Sequence, residues 1–326
     1  MSIDVRVIQE VSLSETERRA VSELLDEITS HAELHEENCF LDNAPLISHD
    51  LPRSIRQQFH NFKRFESSIA LKISNNPVSA SDIGPTPLTP PELEPDFKLN
   101  RLHMLHGLYA SLLGEVVSFK SQRNGRLFTN LIPLKDQADV HNYSGGSTYK
   151  FDLHTEDCFH PCMSDYLGLT CMKNLERAAT SIAPLRSVKL DDEAKDILFQ
   201  PRFKIGANAI HGVDGPGRFG LMPILFGSRE DPFMKINVCN INLNDYSGDV
   251  QRAISILVEG LQAASVSTVL NGGDCLYVDN LRCAHSRDAY KPLYGENARW
   301  LSRVIVADDL RKSVQYKENS KSRCII

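Results

Sequence analysis

Apolar residues in the first third of the chain recur at helical spacing. Val21, Leu24, Leu25 and Ile28 mark one face of a helix predicted over 15–30, and Ser14 with Glu17 ahead of them has the capping-box form. A second helix is predicted over 51–65, with Pro52 tolerated in its first turn. Leu102, Leu105, Leu108, Leu112 and Val116 share a face and predict a third over 99–118. Between 77 and 95 stand Pro77, Pro85, Pro87, Pro90, Pro91 and Pro95. That density of fixed φ and missing donors excludes a regular element and marks a connector.

From about residue 126 the period shortens. The runs 127–132, 166–171, 275–278 and 301–306 read as strands, with Gly, Asn and Pro clusters between them. One helix interrupts them, over about 249–263. Strands in series with outlying helices predict a mainly β fold, a sandwich or barrel with flanking helices, rather than alternating βαβ units. No Gly-rich phosphate loop follows a strand, so a dinucleotide fold has no support.

Composition narrows the function classes. The 326 residues are 41% hydrophobic and 24% charged, with a net charge of −6. No Lys/Arg block suggests a nucleic-acid footprint, and no basic amphipathic stretch suggests a membrane surface. No run approaches the roughly 18 apolar residues of a spanning helix, so a cytoplasmic protein is expected. The eight cysteines lack framework spacing and are expected to be reduced.

The stretch Phe151–Pro161 carries the chemistry. On a strand, residues two apart face the same side, so His154 and Glu156 present an imidazole and a carboxylate to one point while Thr155 faces away. His285, after the apolar run 275–278 and the polar pair Asp279 and Asn280, is the best third ligand. Two histidines and one carboxylate form a facial triad that suits iron(II) and leaves positions open for co-substrate and oxygen. Arg299 follows His285 by fourteen residues and Arg303 lies four further on, an even spacing that turns both to the metal side of a strand. An arginine there can grip a dicarboxylate through two parallel bonds.

These residues resemble the clavaminate synthase-like branch of the iron(II)/2-oxoglutarate oxygenases, and within it the free amino-acid hydroxylases of asparagine oxygenase and arginine β-hydroxylase type. The resemblance spans roughly 77–310. It rests on His154 to Pro161 with Asp165, on Asp279 and Asn280 ahead of His285, and on Arg299 to Arg303. It implies a double-stranded β-helix (jelly-roll) core with the metal between its sheets. The chain would be a single catalytic domain: an N-terminal helical part and connector over 1–120, the core with its inserted helix over 121–312, and a tail over 313–326. The resemblance implies Fe(II), 2-oxoglutarate and O2, with the distal carboxylate of 2-oxoglutarate on Arg299 and Thr180 helping to hold it. Arg303 would take the α-carboxylate of a free L-amino acid. Further substrate contacts are implied at Asn130, at Ser144 and Gly145 in a lid loop, and at Asn240. Asn237, Asn240 and Asn242 stand where the arginine hydroxylase has acidic residues, which speaks against a guanidino substrate. The expected reaction is hydroxylation at the β or γ carbon in a secondary-metabolite pathway. Desaturation or cyclisation by the same cofactors is the alternative within the class.

Blander readings exist for each residue. A lone histidine before a turn is usually a structural hydrogen-bonder, and Arg299 or Arg303 alone would more often be a surface ion-pair residue. Cys158 and Cys162 with His154 and His160 could form a zinc site, but no second pair closes a tetrahedron. A non-catalytic β-helix binding protein is the reading from another class. Only the ordered set of four residues lifts the oxygenase above these.

Overall fold

The computed structural model describes residues 6–141, 145–206, 211 and 219–326. The chain opens with β1 (Arg6–Ser12), α1 (Glu15–Thr29), α2 (Glu37–Ile47), α3 (Arg53–Phe65), β2 (Ser68–Ser74), α4 (Ala80–Ile83) and α5 (Arg101–Ser111). It continues through β3 (Glu115–Phe119), β4 (Thr129–Leu131), β5 (Phe151–His154), β6 (Tyr166–Lys173), β7 (Ala179–Pro184) and α6 (Asp192–Leu198). Then come β8 (Leu225–Gly227), β9 (Pro232–Met234), α7 (Gly248–Ala263), β10 (Val266–Val269), β11 (Cys275–Asp279), β12 (Cys283–Arg287), β13 (Trp300–Ala307) and β14 (Cys324–Ile325).

Two sheets face each other. The larger runs β1-β2-β11-β6-β13-β3-β14, with β4 also on β13, and the smaller runs β10-β7-β12-β5. Leu167, Leu276, Val278 and Ile305 of the larger sheet meet Ile182 and Cys283 of the smaller in one apolar layer. The outer face of the larger sheet is covered by α1, α2, α3 and α5, which bury Leu25, Phe40, Phe59 and Tyr109 against Tyr277 and Val304. On the far side α6 and α7 cover the smaller sheet through Ile197, Ile254 and Leu257. The molecule is thus four layers deep, with a sheet-to-sheet gap at its centre. No helix among the described residues is long and apolar enough to cross a membrane.

Two boundaries differ from the sequence reading. The helix expected over 99–118 ends at Ser111, and Glu115–Phe119 is a strand. A Cβ on Gly114 would stand 2.4 Å from the Ala307 carbonyl oxygen, so the chain passes too close to β13 for a continuing helix. The β-branched pair Val116 and Val117 then favours the ladder. The N-terminal part also contains β1 and β2, paired in parallel, with β2 joined to β11. The proline-rich connector is held in place: Thr86 bonds the Glu296 and Ala298 backbones at 2.9 and 2.8 Å, and the Glu92 carboxylate accepts the Asn130 backbone N–H at 3.0 Å.

His103 and His106 on α5 are fully enclosed, and neither nitrogen of His106 has a hydrogen-bond partner. Burial pushes the His103 imidazole down to about 4, and burial together with the neighbouring His103 pushes His106 down to about 3. Both stay neutral in the fold but titrate near 6.5 when unfolded, so the unfolded chain binds protons that the native chain refuses. Stability is therefore complete above that value and is lost as pH falls toward the folded values. Thermal melts from about pH 7 to about pH 5 are expected to show a falling midpoint, and His106→Leu, which removes two orphaned nitrogens, to flatten that slope. An unchanged slope in the variant would show that His106 is not the source.

Candidate active site

His285 on β12 sits directly opposite His154 on β5 in the antiparallel ladder, which turns both imidazoles to the inner face. Their ring centroids are 4.2 Å apart. The strand ends at His154, and Glu156 reaches the same point from irregular backbone. Thr155 is turned the other way: its N–H donates to the Ile236 carbonyl at 2.8 Å, and its Oγ1 accepts the Ile236 N–H at 3.1 Å. The Glu156 N–H donates to Asn280 Oδ1 at 2.6 Å, and Asp157 turns the chain away at φ 52°.

Glu156 Oε2 lies 3.7 Å from His154 Nε2 and 3.4 Å from His285 Nε2. The three ligand atoms all fall within 4.8 Å of one another, and all three residues are buried. His154 Nδ1–H donates to the Asp152 carbonyl at 2.8 Å, which leaves Nε2 as the lone-pair nitrogen, and Nε2 has no partner. Burial and the neighbouring His154 push the His285 imidazole down to about 4. Burial opposes ionisation of Glu156, yet the Arg303 guanidinium and the two imidazoles hold its carboxyl well below the usual range. Two imidazoles and one ionised carboxylate aimed at a common point fit a ferrous ion, and the orphaned Nε2 is what such an ion would satisfy.

The cavity beside these residues is walled by Leu131, Leu167, Leu169 and Leu301, and Thr180 on β7 also lines it. Three guanidiniums line it too: Arg287, Arg299 and Arg303. Arg303, on β13, bonds Glu156 Oε1 and Gln122 Oε1. Arg299 precedes β13, is 4% exposed, and its Nε has no partner. Its guanidinium carbon stands 5.5 Å from the centre of the Tyr290 ring. Arg299, Leu301 and Arg303 are two residues apart and all line the cavity, as strand alternation requires.

No protein-family model matches the chain. Individual proteins do. It is 28% identical over 339 residues to an enduracididine beta-hydroxylase of Streptomyces hygroscopicus, covering 96% of this chain and 98% of that one. It is 26% identical over 278 residues to clavaminate synthase 2 of Streptomyces clavuligerus, covering 83% of this chain and 84% of that one. The solved structure of the non-haem iron oxygenase OrfP in complex with Fe and alpha-ketoglutaric acid superposes with a TM-score of 0.87 at 29% identity, over 98% of this chain and 100% of that one. Over most of its length the chain is similar to clavaminate synthase-like non-haem iron oxygenases.

Not every residue expected in the site of this oxygenase is there. Asn130 is a correction. It is fully buried, its Oδ1 accepts from Trp300 Nε1 at 2.7 Å and from His103 Nε2 at 3.1 Å, and its Nδ2 donates to Glu92 at 3.0 Å. Each of its side-chain polar atoms is bonded to the scaffold, and it does not line the cavity. Asn240 lies in the 3-10 turn Val238–Asn240, donates to the Gly206 carbonyl at 3.2 Å, and does not line the cavity. Gly145 is buried outside the lining, its carbonyl accepting the Leu134 N–H at 3.1 Å. Ser144 lies outside the described residues.

Two residues beside the cavity escaped the sequence reading. Arg287 shares a strand face with His285, two residues on, so alternation could have found it. It bonds the Gly146 carbonyl and donates to the Tyr149 carbonyl at 2.9 Å, tying that loop to the cavity wall. Gln122 follows β3 in no motif, and only the fold brings it to Arg303. Its Nε2 is buried without a partner.

Under anaerobic conditions the chain is expected to take up Fe(II), followed by calorimetry or metal analysis. His285→Ala should weaken uptake by more than the roughly 10- to 100-fold that losing an outer partner of a ligand costs. Undiminished uptake would remove His285 from the site.

Proposed function

We propose that this oxygenase hydroxylates an unactivated carbon, β or γ, of a free L-amino acid, with Fe(II) on His154, Glu156 and His285 and 2-oxoglutarate as co-substrate. The fold that presents these residues is then a double-stranded β-helix, in keeping with two facing sheets and the metal position between them. The observation that carries the reading is the company the ligand set keeps: three buried guanidiniums beside a single ionised carboxylate. When bound, the metal and co-substrate supply oxygen activation, 2-oxoglutarate leaving as succinate and carbon dioxide while one oxygen atom enters a substrate C–H bond.

The chain's own residues do the binding and positioning. Arg299, with its unpartnered Nε, offers the distal carboxylate of 2-oxoglutarate a bidentate grip in a dry site, and Thr180 adds a hydroxyl. Arg303 reaches both Glu156 and Gln122, so an amino acid's α-carboxylate on Arg303 would lie next to the metal position. The unpartnered Nε2 of Gln122 supplies one more donor there. Leu131, Leu167, Leu169 and Leu301 keep bulk water from the reacting carbon. Enduracididine beta-hydroxylase and the L-ornithine/L-arginine 3-hydroxylase of Catenulispora acidiphila point to the β carbon. Among the described residues Glu156 is the one carboxylate that lines the cavity, and the metal would claim it. Asn237 pairs its backbone with His154 in an isolated bridge and does not line the cavity. A polar, uncharged substrate side chain suits that environment better than a guanidinium or ammonium.

Mixing protein, Fe(II) and 2-oxoglutarate without oxygen is expected to give a metal-to-ligand charge-transfer band. Admitting oxygen with a panel of amino acids, citrulline and ornithine included, should release succinate and a product heavier by one oxygen. Arg299→Ala should raise the KM for 2-oxoglutarate by about 10- to 100-fold, and Arg303→Ala that for the amino acid, as expected for losing a charge-assisted pair. Absence of the band in the wild-type protein would end the proposal.

A further inference from the structure

Asp279 and Asn280 stand out in the sequence, yet neither lines the cavity. Asn280 is fully buried in the turn that joins β11 of the larger sheet to β12 of the smaller. Its Oδ1 accepts the Glu156 N–H at 2.6 Å, and its Nδ2 donates to the Glu156 carbonyl at 3.1 Å and to the Ser164 carbonyl at 2.8 Å. Glu156 lies beyond the end of β5, so no ladder bond orients it. Both of its peptide groups are satisfied by this one amide.

The turn gives Asn280 no freedom of its own. Asp279 Oδ1 accepts the Leu281 and Arg282 N–H groups at 3.0 and 3.2 Å. The Asn280 N–H donates to the Asp165 carbonyl at 3.0 Å, and the carbonyls of Leu281 and Arg282 accept from Met234 and Leu185 at 2.8 and 2.9 Å. The Arg282 guanidinium pairs with Asp231 at 2.6 Å and Glu66 at 2.8 Å. One residue past Arg282 begins β12, which carries His285.

We propose that Asn280 is a positioning residue for the iron site: it staples the Glu156 backbone to the turn that launches β12, setting the carboxylate against His285 before the metal arrives. The inference rests on the proposed ligand set. Without the amide, the Glu156 backbone has no other hydrogen bond among the described residues, and its carboxylate can follow the Arg303 guanidinium rather than wait between the imidazoles. Preorganisation of this kind appears in metal affinity.

The test compares Asn280→Ala with Asn76→Ala. Asn76 is another buried asparagine, bonded to Tyr109 and to the Gly273 backbone. Both variants should melt lower than wild type. Only N280A should bind Fe(II) more weakly, by about 10- to 100-fold in anaerobic calorimetry, and shift the charge-transfer band formed with 2-oxoglutarate. Where N280A does not fold, Asn280→Ser, whose hydroxyl falls short of both Glu156 peptide groups, is expected to show the same loss. Wild-type iron affinity in N280A or N280S, or an equal loss in N76A, overturns the positioning role. If wild type itself binds no iron, the ligand set falls instead.

Discussion

The Glu156 carboxylate is 3% exposed and has to remain ionised, and the Arg303 guanidinium is what allows it. A lone carboxylate in such a place would take up a proton rather than bear the cost of desolvation. Arg303 occupies Oε1 and leaves Oε2 facing the two imidazoles, of which burial keeps His285 neutral. The ionised Glu156 and the neutral His285 are then in the protonation states a divalent ion requires of them, with no proton to displace. Arg303 therefore has two duties, to keep a metal ligand charged and to face the cavity where an anionic substrate group would sit. Lysine could not do both, because its single ammonium lacks the forked geometry.

The same economy runs through the rest of the site. Arg287 and Arg299 both lie near the Tyr290 ring, at 5.2 and 5.5 Å, and burial with the neighbouring Arg299 lowers Arg287 to about 10. Arg287 spends its donors on backbone carbonyls and so closes the wall, whereas Arg299 keeps a free Nε. A surplus of cations in an apolar cavity is tolerable when anions are what the cavity takes. Two facing sheets make this possible: β5 and β12 bring the imidazoles and β12 also Arg287, while Arg299 comes from just before β13 and Arg303 from within it.

Much of this was legible in the sequence, because it depends on short-range spacing. The capping box at Ser14 and the 3.6-residue period located α1 to within a residue, and the β-rich runs located β6, β11 and β13. The His154 and Glu156 pair, His285, Arg299 and Arg303 all reach one cavity. The misses depend on long-range packing. Asn130 looks like a strand residue open to a ligand until Glu92, His103 and Trp300 converge on it from three distant places. Gln122 carries no local signal, since its role exists only once β3 lies beside β13. The end of α5 was set by the close approach of Gly114 to Ala307, which no periodicity records.

The central claim is that one ferrous ion sits between His154, Glu156 and His285 with a diacid anchored beyond it on Arg299. Crystals grown without oxygen in Fe(II) and 2-oxoglutarate, with anomalous differences collected at the iron edge, test this most directly. A single strong peak between those three side chains, with the distal carboxylate of 2-oxoglutarate on the Arg299 guanidinium, is the expected result. A peak elsewhere, or a co-substrate carboxylate bound away from Arg299, would contradict it.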